Sequence, residues 1–412
     1  MSASEVTLDL GLILAVGLVV VPLARILRVP FMLLLVAAGA LLGPSVLDIV
    51  RIPLDSTGVE ILLTLGVSMI LFHGGLHLSL SVLSRVKFGL GMLVVPGVIA
   101  TTAICGLAAA WFFNVPVTMG LLIGAAIAPT DPAILIPLFE RMGLQPKLRQ
   151  TIVAESALND PTGAVVALTL LGVVAGGESL DAEPILAFVR EIGISLVIGV
   201  VAGVLLALVV SKSRWGLWRE SAGIAVFAVV ALTFFTVQQA GAESGYLGPF
   251  VAGLIVGNMD RLKLGMHSEH EREMRTLVQG LSDIMVIFVF VILGADLPWR
   301  VLGDYWMPAL GVVLVLIFIA RPIVIAMCLL PDRRGQWVRP ELLFMMWTRE
   351  TGVVPAALAG LVVSRGIEHA DLVMVTVAMA IIVTLALQAS TKGWLARRLG
   401  LTAGGEAVDG DV

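Results

Sequence analysis

The chain is short of charged residues. Only 14% of its 412 residues are Asp, Glu, Lys or Arg, whereas soluble domains carry about 25%. Hydrophobic residues make up 58% of the chain, and the mean hydropathy is +1.03. This composition excludes an ordinary soluble globular domain and indicates a protein that lies mostly within a lipid bilayer.

Cysteine is scarce as well, and long polar stretches are lacking. Cys105 and Cys328 both fall inside apolar runs, so they form no metal-ligand pattern and are expected to be reduced packing residues. The longest polar loop runs only from about Asn258 to Thr276, which leaves no room for a soluble domain between apolar runs. No basic stripe with interleaved aromatic residues is present, so no nucleic-acid partner is expected.

Apolar runs of about 20 residues, long enough to cross a bilayer as a helix, repeat from end to end. They predict an all-α polytopic membrane protein with about 13 transmembrane helices. The predicted spans are 6–27, 30–47, 57–76, 88–113, 115–139, 149–176, 184–210, 220–241, 244–259, 277–297, 302–330, 341–363 and 370–391.

The positions of Lys and Arg predict the orientation. If Met1 lies outside, 20 of the 26 Lys and Arg residues fall in inner loops or after the last span, and the outer loops hold three. Cytoplasmic loops carry such an excess of positive charge. The pattern therefore predicts a multi-pass membrane protein with its amino terminus outside and its carboxyl terminus in the cytoplasm.

The alternating direction of the spans predicts two inverted repeats. Spans 1 to 6, approximately 6–176, begin outside, and spans 8 to 13, approximately 220–391, begin inside. A linker helix over 184–210 joins them. We expect one membrane transport domain over 1–398, followed by a short disordered cytosolic tail over 399–412.

The fifth span of each half carries helix-breaking residues. Pro129-Thr130-Asp131-Pro132 interrupts span 5, and Thr348-Arg349-Glu350-Thr351-Gly352, followed by Pro355, interrupts span 12. Proline removes a backbone donor and clashes with the preceding turn. Backbone groups freed inside a membrane must face protein, ions or water. The pattern therefore predicts two discontinuous helices that meet in a polar pocket; simple proline kinks are the alternative.

Polar and ionisable residues are concentrated near the first break. Asp131 lies in the break itself, and span 6 carries Glu155, Ser156, Asn159 and Asp160. Residues four apart on a helix share a face, so both polar pairs of span 6 point in nearly the same direction. An intramembrane carboxylate costs several kcal/mol and marks a functional site by default. A pump, carrier or channel needs this arrangement, whereas a membrane anchor does not.

Oxygen ligands suit a hard monovalent cation. The predicted ligands are Asp160, Asp131, the Ser156 hydroxyl and a Thr130 oxygen. Our hypothesis is that a proton and a cation compete for Asp160, with Asp131 beside it, so that one site crosses the membrane loaded with either. The substrates would be H⁺ and Na⁺, Li⁺ or K⁺, with no resident cofactor and no enzymatic reaction.

Glu155 is predicted to have a structural role, because a buried carboxylate needs a partner. Two intramembrane arginines are available, Arg321 in span 11 and Arg349 in span 12, and Arg321 is preferred. The alternative is that Glu155 itself binds the cation, although a nearby arginine would repel the ion.

Asn159 bears on the stoichiometry of exchange. An Asp at this position would add a second titratable charge to span 6, whereas Asn adds none. One charge neutralised by one proton or one monovalent cation predicts one-for-one, electroneutral exchange. The alternative role is a hydrogen-bonding support for span 5, and the two roles are compatible.

Several motifs together resemble a known family. They are Thr130-Asp131-Pro132, Glu155-Ser156-x-x-Asn159-Asp160-Pro161, Gly245 to Gly253 with Gly257-Asn258, Arg321-Pro322 and the Arg349 segment. The chain resembles the monovalent cation/proton antiporter superfamily, specifically its electroneutral NhaP-type sodium/proton antiporter branch, which the Asn159-Asp160 pair marks.

The resemblance implies thirteen helices, a mobile six-helix core with elevator-like movement, and a homodimer. It also implies that Thr130, Asp131, Ser156 and Asp160 coordinate the ion and that Glu155 pairs with an arginine. In one respect the chain departs from the pattern: span 12 often reads Gly-Leu-Arg-Gly-Ala in the family, whereas Glu350 stands beside Arg349 here.

Exchange of Na⁺ for H⁺, with Li⁺ as a further substrate, is the favoured function. A K⁺/H⁺ antiporter of the same fold is the first alternative, since the same oxygen ligands hold either ion. A cation channel ranks lower, because broken helices in an inverted repeat favour alternating access. An intramembrane aspartyl protease would leave Asn159 and Arg321 unexplained, and its Gly-x-Gly-Asp motif is absent.

Overall fold

The computed structural model describes most of the chain as helix. The described residues are 3–27, 29–44, 46–50, 57–175, 183–212, 218, 220–241, 245–295 and 299–402. The helices are α1 Ala3–Leu27, α2 Phe31–Leu42, α3 Thr57–Leu76, α4 Leu80–Val94, α5 Pro96–Phe113, α6 Val117–Ala126, α7 Pro132–Met142, α8 Pro146–Val174, α9 Glu183–Val210, α10 Ala222–Gln239, α11 Leu247–Gly257, α12 Ser268–Ala295, α13 Trp299–Val315, α14 Arg321–Leu329, α15 Arg339–Trp347, α16 Val353–Ser364, α17 Ala370–Val383 and α18 Ser390–Arg398.

These helices form thirteen segments at the predicted positions, since five of the segments contain two helices each: α4–α5, α6–α7, α13–α14, α15–α16 and α17–α18. Within the part of the chain that the structure describes, eight stretches are long and apolar enough to cross a membrane, and five shorter apolar helices accompany them. No β-strand is present among the described residues, apart from one isolated bridge between Leu144 and Thr402. The prediction of an all-α polytopic membrane protein is confirmed.

Helix packing reflects the predicted inverted repeat. Helix α3 packs along α11, and α2 packs along α12. The predicted repeat relates span 2 (α2) to span 9 (α11) and span 3 (α3) to span 10 (α12). Its symmetry therefore exchanges the α3–α11 contact with the α2–α12 contact. In the same way α7 packs on α8 in the first half, and α16 packs on α17 in the second. Both halves therefore place their broken helix against the span that follows it.

Glycine allows the closest of these contacts. A side chain on Gly253 of α11 would overlap the carbonyl oxygen of Phe72 in α3, and one on Gly39 of α2 would overlap that of Val291 in α12. Small residues let helix backbones approach one another in the absence of a hydrophobic driving force between spans. The small-residue pairs of this chain thus serve contacts within the molecule.

The carboxyl-terminal end of the described chain differs from the prediction in two ways. Span 13 continues through α18 to Arg398 rather than ending at residue 391, and Lys392 is fully buried within it. Residues 399–402, predicted as the start of a disordered tail, are ordered: Leu401 is buried, and its carbonyl oxygen accepts the Gln145 N–H at 2.9 Å. The rest of the predicted tail, 403–412, lies outside the described residues.

Replacing Gly253 by Ala is expected to destabilise the protein, because the added methyl group overlaps the α3 backbone. Overpacking of this kind costs about 1–3 kcal/mol, which would appear as a lower apparent melting temperature in detergent. The matched control is Gly280→Ala in α12, where nothing lies within 4 Å of the new methyl group. Alanine is the better helix former, so this control should be neutral or stabilising. Equal melting temperatures for the two variants would contradict the packing argument.

Candidate functional site

The two predicted breaks cross and bond to each other. Residues 127–131 separate α6 from α7, and residues 348–352 separate α15 from α16. The backbone N–H of Asp131 donates to the carbonyl oxygen of Glu350 at 3.0 Å. Each break thereby satisfies a backbone group that its own helix leaves free. Gly352 also lies against the Asp131 carboxyl group, so closely that no side chain fits there.

Asn159 on α8 holds the first break in place. Its amide nitrogen donates to the Thr130 hydroxyl oxygen at 2.8 Å, and its amide oxygen accepts the Thr130 backbone N–H at 3.1 Å. The Thr130 hydroxyl in turn donates to the Ser156 hydroxyl oxygen at 2.9 Å. Three of the predicted site residues are therefore in direct contact, and Asn159 has the geometry of a support for span 5.

Asp160 is the unusual group of this cluster. It is 3% exposed, and neither carboxyl oxygen has a hydrogen-bond partner among the described protein groups. Asp131, also 3% exposed, is close enough for the two carboxyl groups to repel each other electrostatically. A buried charge without a partner is very costly. An ionised Asp160 would therefore be very costly here unless its charge were neutralised.

Glu155 and Arg321 form a buried ion pair beside the cluster. Two guanidinium nitrogens of Arg321 donate to the two Glu155 carboxyl oxygens, at 2.5 and 3.0 Å. The remaining Arg321 Nε donates to the carbonyl oxygen of Met345 at 2.9 Å, near the end of α15. Of the two arginines considered for Glu155, Arg321 is thus its partner. The pair joins α8, α14 and α15, and it leaves Glu155 no free charge for an ion.

Arg349 has a different role from Arg321. Its guanidinium group donates to the carbonyl oxygen of Ala128, just beyond the end of α6. A cation near a helix carboxyl terminus interacts favourably with the carbonyl groups there. Arg349 therefore binds the backbone of the first break, whereas Arg321 binds the Glu155 carboxylate.

Sequence reasoning missed a second buried ion pair, between Glu350 and Lys392. Both side chains are fully buried. The predicted end of span 13 placed Lys392 in a cytoplasmic loop, which was wrong because Glu350 supplies the partner that makes its burial tolerable. Thr384, Gln388 and Lys392 recur every four residues in an apolar run, and this polar spacing was a signal for a buried face.

The profile of one protein family matches almost the whole chain. It is described as "Sodium/hydrogen exchanger, transmembrane" and matches residues 12–398. The chain belongs to this family. The fold agrees, because the structure of the sodium proton antiporter MjNhaP1 from Methanocaldococcus jannaschii at pH 8 superposes with a TM-score of 0.78 at 28% identity, covering 96% of this chain and 99% of that one.

Two curated relatives cover most of this chain as well. The "Probable Na(+)/H(+) antiporter 2" of Methanocaldococcus jannaschii is 28% identical over 410 residues, spanning 92% of this chain and 94% of the relative. The "K(+)/H(+) antiporter NhaP2" of Shewanella oneidensis is 28% identical over 395 residues, spanning 94% of this chain but 66% of the relative. The relatives are therefore named for two different cations.

Glu155→Gln is expected to destabilise the protein strongly, because it leaves the Arg321 charge buried and unpaired. Removing one partner of a buried pair costs about 3–5 kcal/mol, whereas replacing both by apolar residues is much less harmful. Thermal unfolding in detergent should therefore show a large loss for Glu155→Gln and a substantial recovery in the double variant Glu155→Leu/Arg321→Met. A double variant as unstable as the single one would refute this account.

Proposed function

We propose that this protein exchanges a monovalent cation for a proton across the membrane, with Na⁺ favoured and Li⁺ as a further substrate. The observation that carries the proposal is the Asp160 carboxyl group, which is buried beside Asp131 without a hydrogen-bond partner among the described protein groups. Binding of either a proton or a cation neutralises the Asp160 carboxylate and removes the free-energy cost of burying its charge. The two therefore compete for one site, and this competition couples their movements.

The cation ligands in this proposal are Asp160, Asp131, Ser156 and Thr130. The hydroxyl groups of Thr130 and Ser156 are in contact, and each oxygen keeps a lone pair that a cation can use. Asn159 is uncharged and already bonded twice to Thr130, so it orients the ligands and adds no charge. Preorganised ligands of this kind bind without the cost of ordering them.

The charges of the buried core support electroneutral exchange. The Glu155–Arg321 and Glu350–Lys392 pairs each cancel. On α8, Asp160 carries one negative charge when ionised, and Asn159 beside it carries none. One cation or one proton neutralises this charge equally well. The site would therefore cross the membrane neutral with either substrate, in a one-for-one exchange.

Alternating access is the mechanism that this fold supports. The two breaks bond to each other, and Asn159 and Arg321 join them to neighbouring spans. The site would therefore move as part of one rigid core, in the elevator-type movement that inverted repeats permit. The proposal includes a homodimer in the plasma membrane with its amino terminus outside; the family resemblance supports the dimer, and the Lys and Arg distribution supports the orientation.

Potassium is the alternative substrate, and the relatives themselves include one named for K⁺ and one for Na⁺. Oxygen ligands serve both ions, so the difference depends on cavity size and on the number of ligands. Sodium is favoured here because the motifs around Asn159 and Asp160 resemble those of the sodium/proton antiporter branch, and because the sodium proton antiporter MjNhaP1 matches over 96% of this chain.

Asp160→Asn is expected to abolish cation-driven proton movement, since the amide binds neither substrate as an anion would. Purified protein in liposomes with an internal pH dye and a preset pH gradient would receive Na⁺, Li⁺ or K⁺ in turn. The wild type should dissipate the gradient with Na⁺ and Li⁺ more readily than with K⁺. The matched control is Asp304→Asn, an exposed aspartate of α13, which should behave as the wild type. Retention of full exchange by Asp160→Asn would rule out the proposed site.

Exchange by the wild type is expected to be independent of membrane potential, because the loaded core is neutral with either ion. The same liposomes would be clamped with potassium and valinomycin at zero and at about −100 mV, where moving one charge is worth about 2.3 kcal/mol. Equal initial rates of Na⁺-driven proton movement at both potentials are the expected result. A rate that follows the potential would show that a net charge crosses and would favour an electrogenic carrier or a channel.

A further inference from the structure

The position of Asp131 depends on the segment 348–352. The Glu350 carbonyl oxygen accepts the Asp131 N–H, and Gly352 lies against the Asp131 carboxyl group. Any displacement of this segment would shift a proposed ligand with respect to Asp160. The contacts that hold residues 348–352 in place are therefore relevant to ion binding.

Span 13 supplies three contacts to this region. The Thr351 N–H donates to the Thr384 hydroxyl oxygen at 3.3 Å, and Trp347 Nε1 donates to the Thr391 hydroxyl oxygen at 2.8 Å. The third contact is the ion pair between Glu350 and Lys392. It is the only one of the three that joins two opposite charges, and opposite charges attract each other strongly in the low dielectric of a buried core.

A polar row on span 13 faces the second break. Thr384, Gln388 and Lys392 are four residues apart, and all three are fully buried. The chain forms a π-helical turn over Thr384–Ala389 within this row, and such turns are frequent at functional sites. The amide group of Gln388 has no hydrogen-bond partner among the described groups. A row of this kind is costly in a membrane-spanning helix unless it serves the site beside it.

Lys392 also contacts the first break's helix. Its ammonium group lies 5.3 Å from the centre of the Phe139 ring, and Phe139 is on α7, which begins immediately after Asp131. An ammonium group at this distance from a ring face is attracted to it. Lys392 thus joins span 13 to the helix after the first break and to the second break itself.

We propose that the Glu350–Lys392 ion pair is a positioning element of the exchange site. It holds the Glu350 carbonyl against the Asp131 peptide group and so fixes the Asp131 carboxyl group relative to Asp160. This inference rests on the proposed cation/proton exchange. Neither residue touches the ion; both act through Asp131.

The proposal predicts that disturbing the pair changes cation affinity separately from stability. The single variants Lys392→Met and Glu350→Gln leave a buried charge unpaired, so both should lose stability. The double variant Glu350→Gln/Lys392→Met leaves no unpaired charge and should recover most of it. The double variant should nevertheless keep a raised apparent KM for Na⁺, by about tenfold, which corresponds to about 1.4 kcal/mol of binding free energy lost when Asp131 is less well positioned.

The measurements are the apparent melting temperature in detergent and the KM and maximal rate of Na⁺-driven proton movement in liposomes. Recovery of both stability and KM in the double variant would show that the pair is merely structural and would overturn the inference. Should the double variant fail to fold, Glu350→Asp keeps the charge and shortens the side chain by one methylene. A raised KM at unchanged stability in Glu350→Asp supports the positioning role, and an unchanged KM overturns it.

Wild type and Asp160→Asn are assayed in parallel, so that failure of the proposed exchange can be distinguished from failure of the positioning role. If the wild type moves no protons in response to any cation, the proposed function fails. If the wild type exchanges and the pair variants keep its KM, only the positioning role fails. The conservative variant Lys392→Arg, which keeps the positive charge, should stay within about threefold of the wild-type KM, because an arginine can still pair with Glu350.

Discussion

A charge inside a membrane-spanning bundle must be neutralised by a partner, and the core of this chain is arranged around that requirement. Glu155 and Glu350 each have a basic partner, Arg321 and Lys392. Asp160 has none among the described protein groups. In the proposed exchange, this contrast distinguishes a transport site, where the carboxylate binds an exchangeable ion, from a structural ion pair.

The backbone polar groups at the two helix breaks also need partners. Residues 127–131 and 348–352 leave peptide groups without helical partners, and the structure supplies partners across the break. Asp131 bonds to the Glu350 carbonyl, Asn159 bonds to Thr130, and Arg349 bonds to the Ala128 carbonyl. Irregular backbone is tolerated at membrane depth only when it is compensated in this way. The same bonds that satisfy the backbone also place the side chains of the site.

The predictions that held relied on local rules. Apolar runs located the thirteen segments, and Pro129, Pro132 and Pro355 located the breaks, because bilayer thickness and proline geometry act along the chain. The predicted end of span 13 was wrong because the helix continues and buries Lys392 against a partner. Its partner Glu350 lies 42 positions earlier in the chain, and local patterns do not contain such a distant pairing.

The sequence by itself determined the class of molecule, its helical segments, the position of both breaks and the residue types gathered near them. These follow from hydropathy, backbone chemistry and four-residue spacing. Only the tertiary structure decided which groups meet: Glu155 with Arg321 rather than Arg349, Glu350 with Lys392, and Asn159 with Thr130. The reason is physical. The free-energy cost of burying a polar or charged residue depends on that residue alone. The interactions that offset this cost depend on which distant helices the fold brings together.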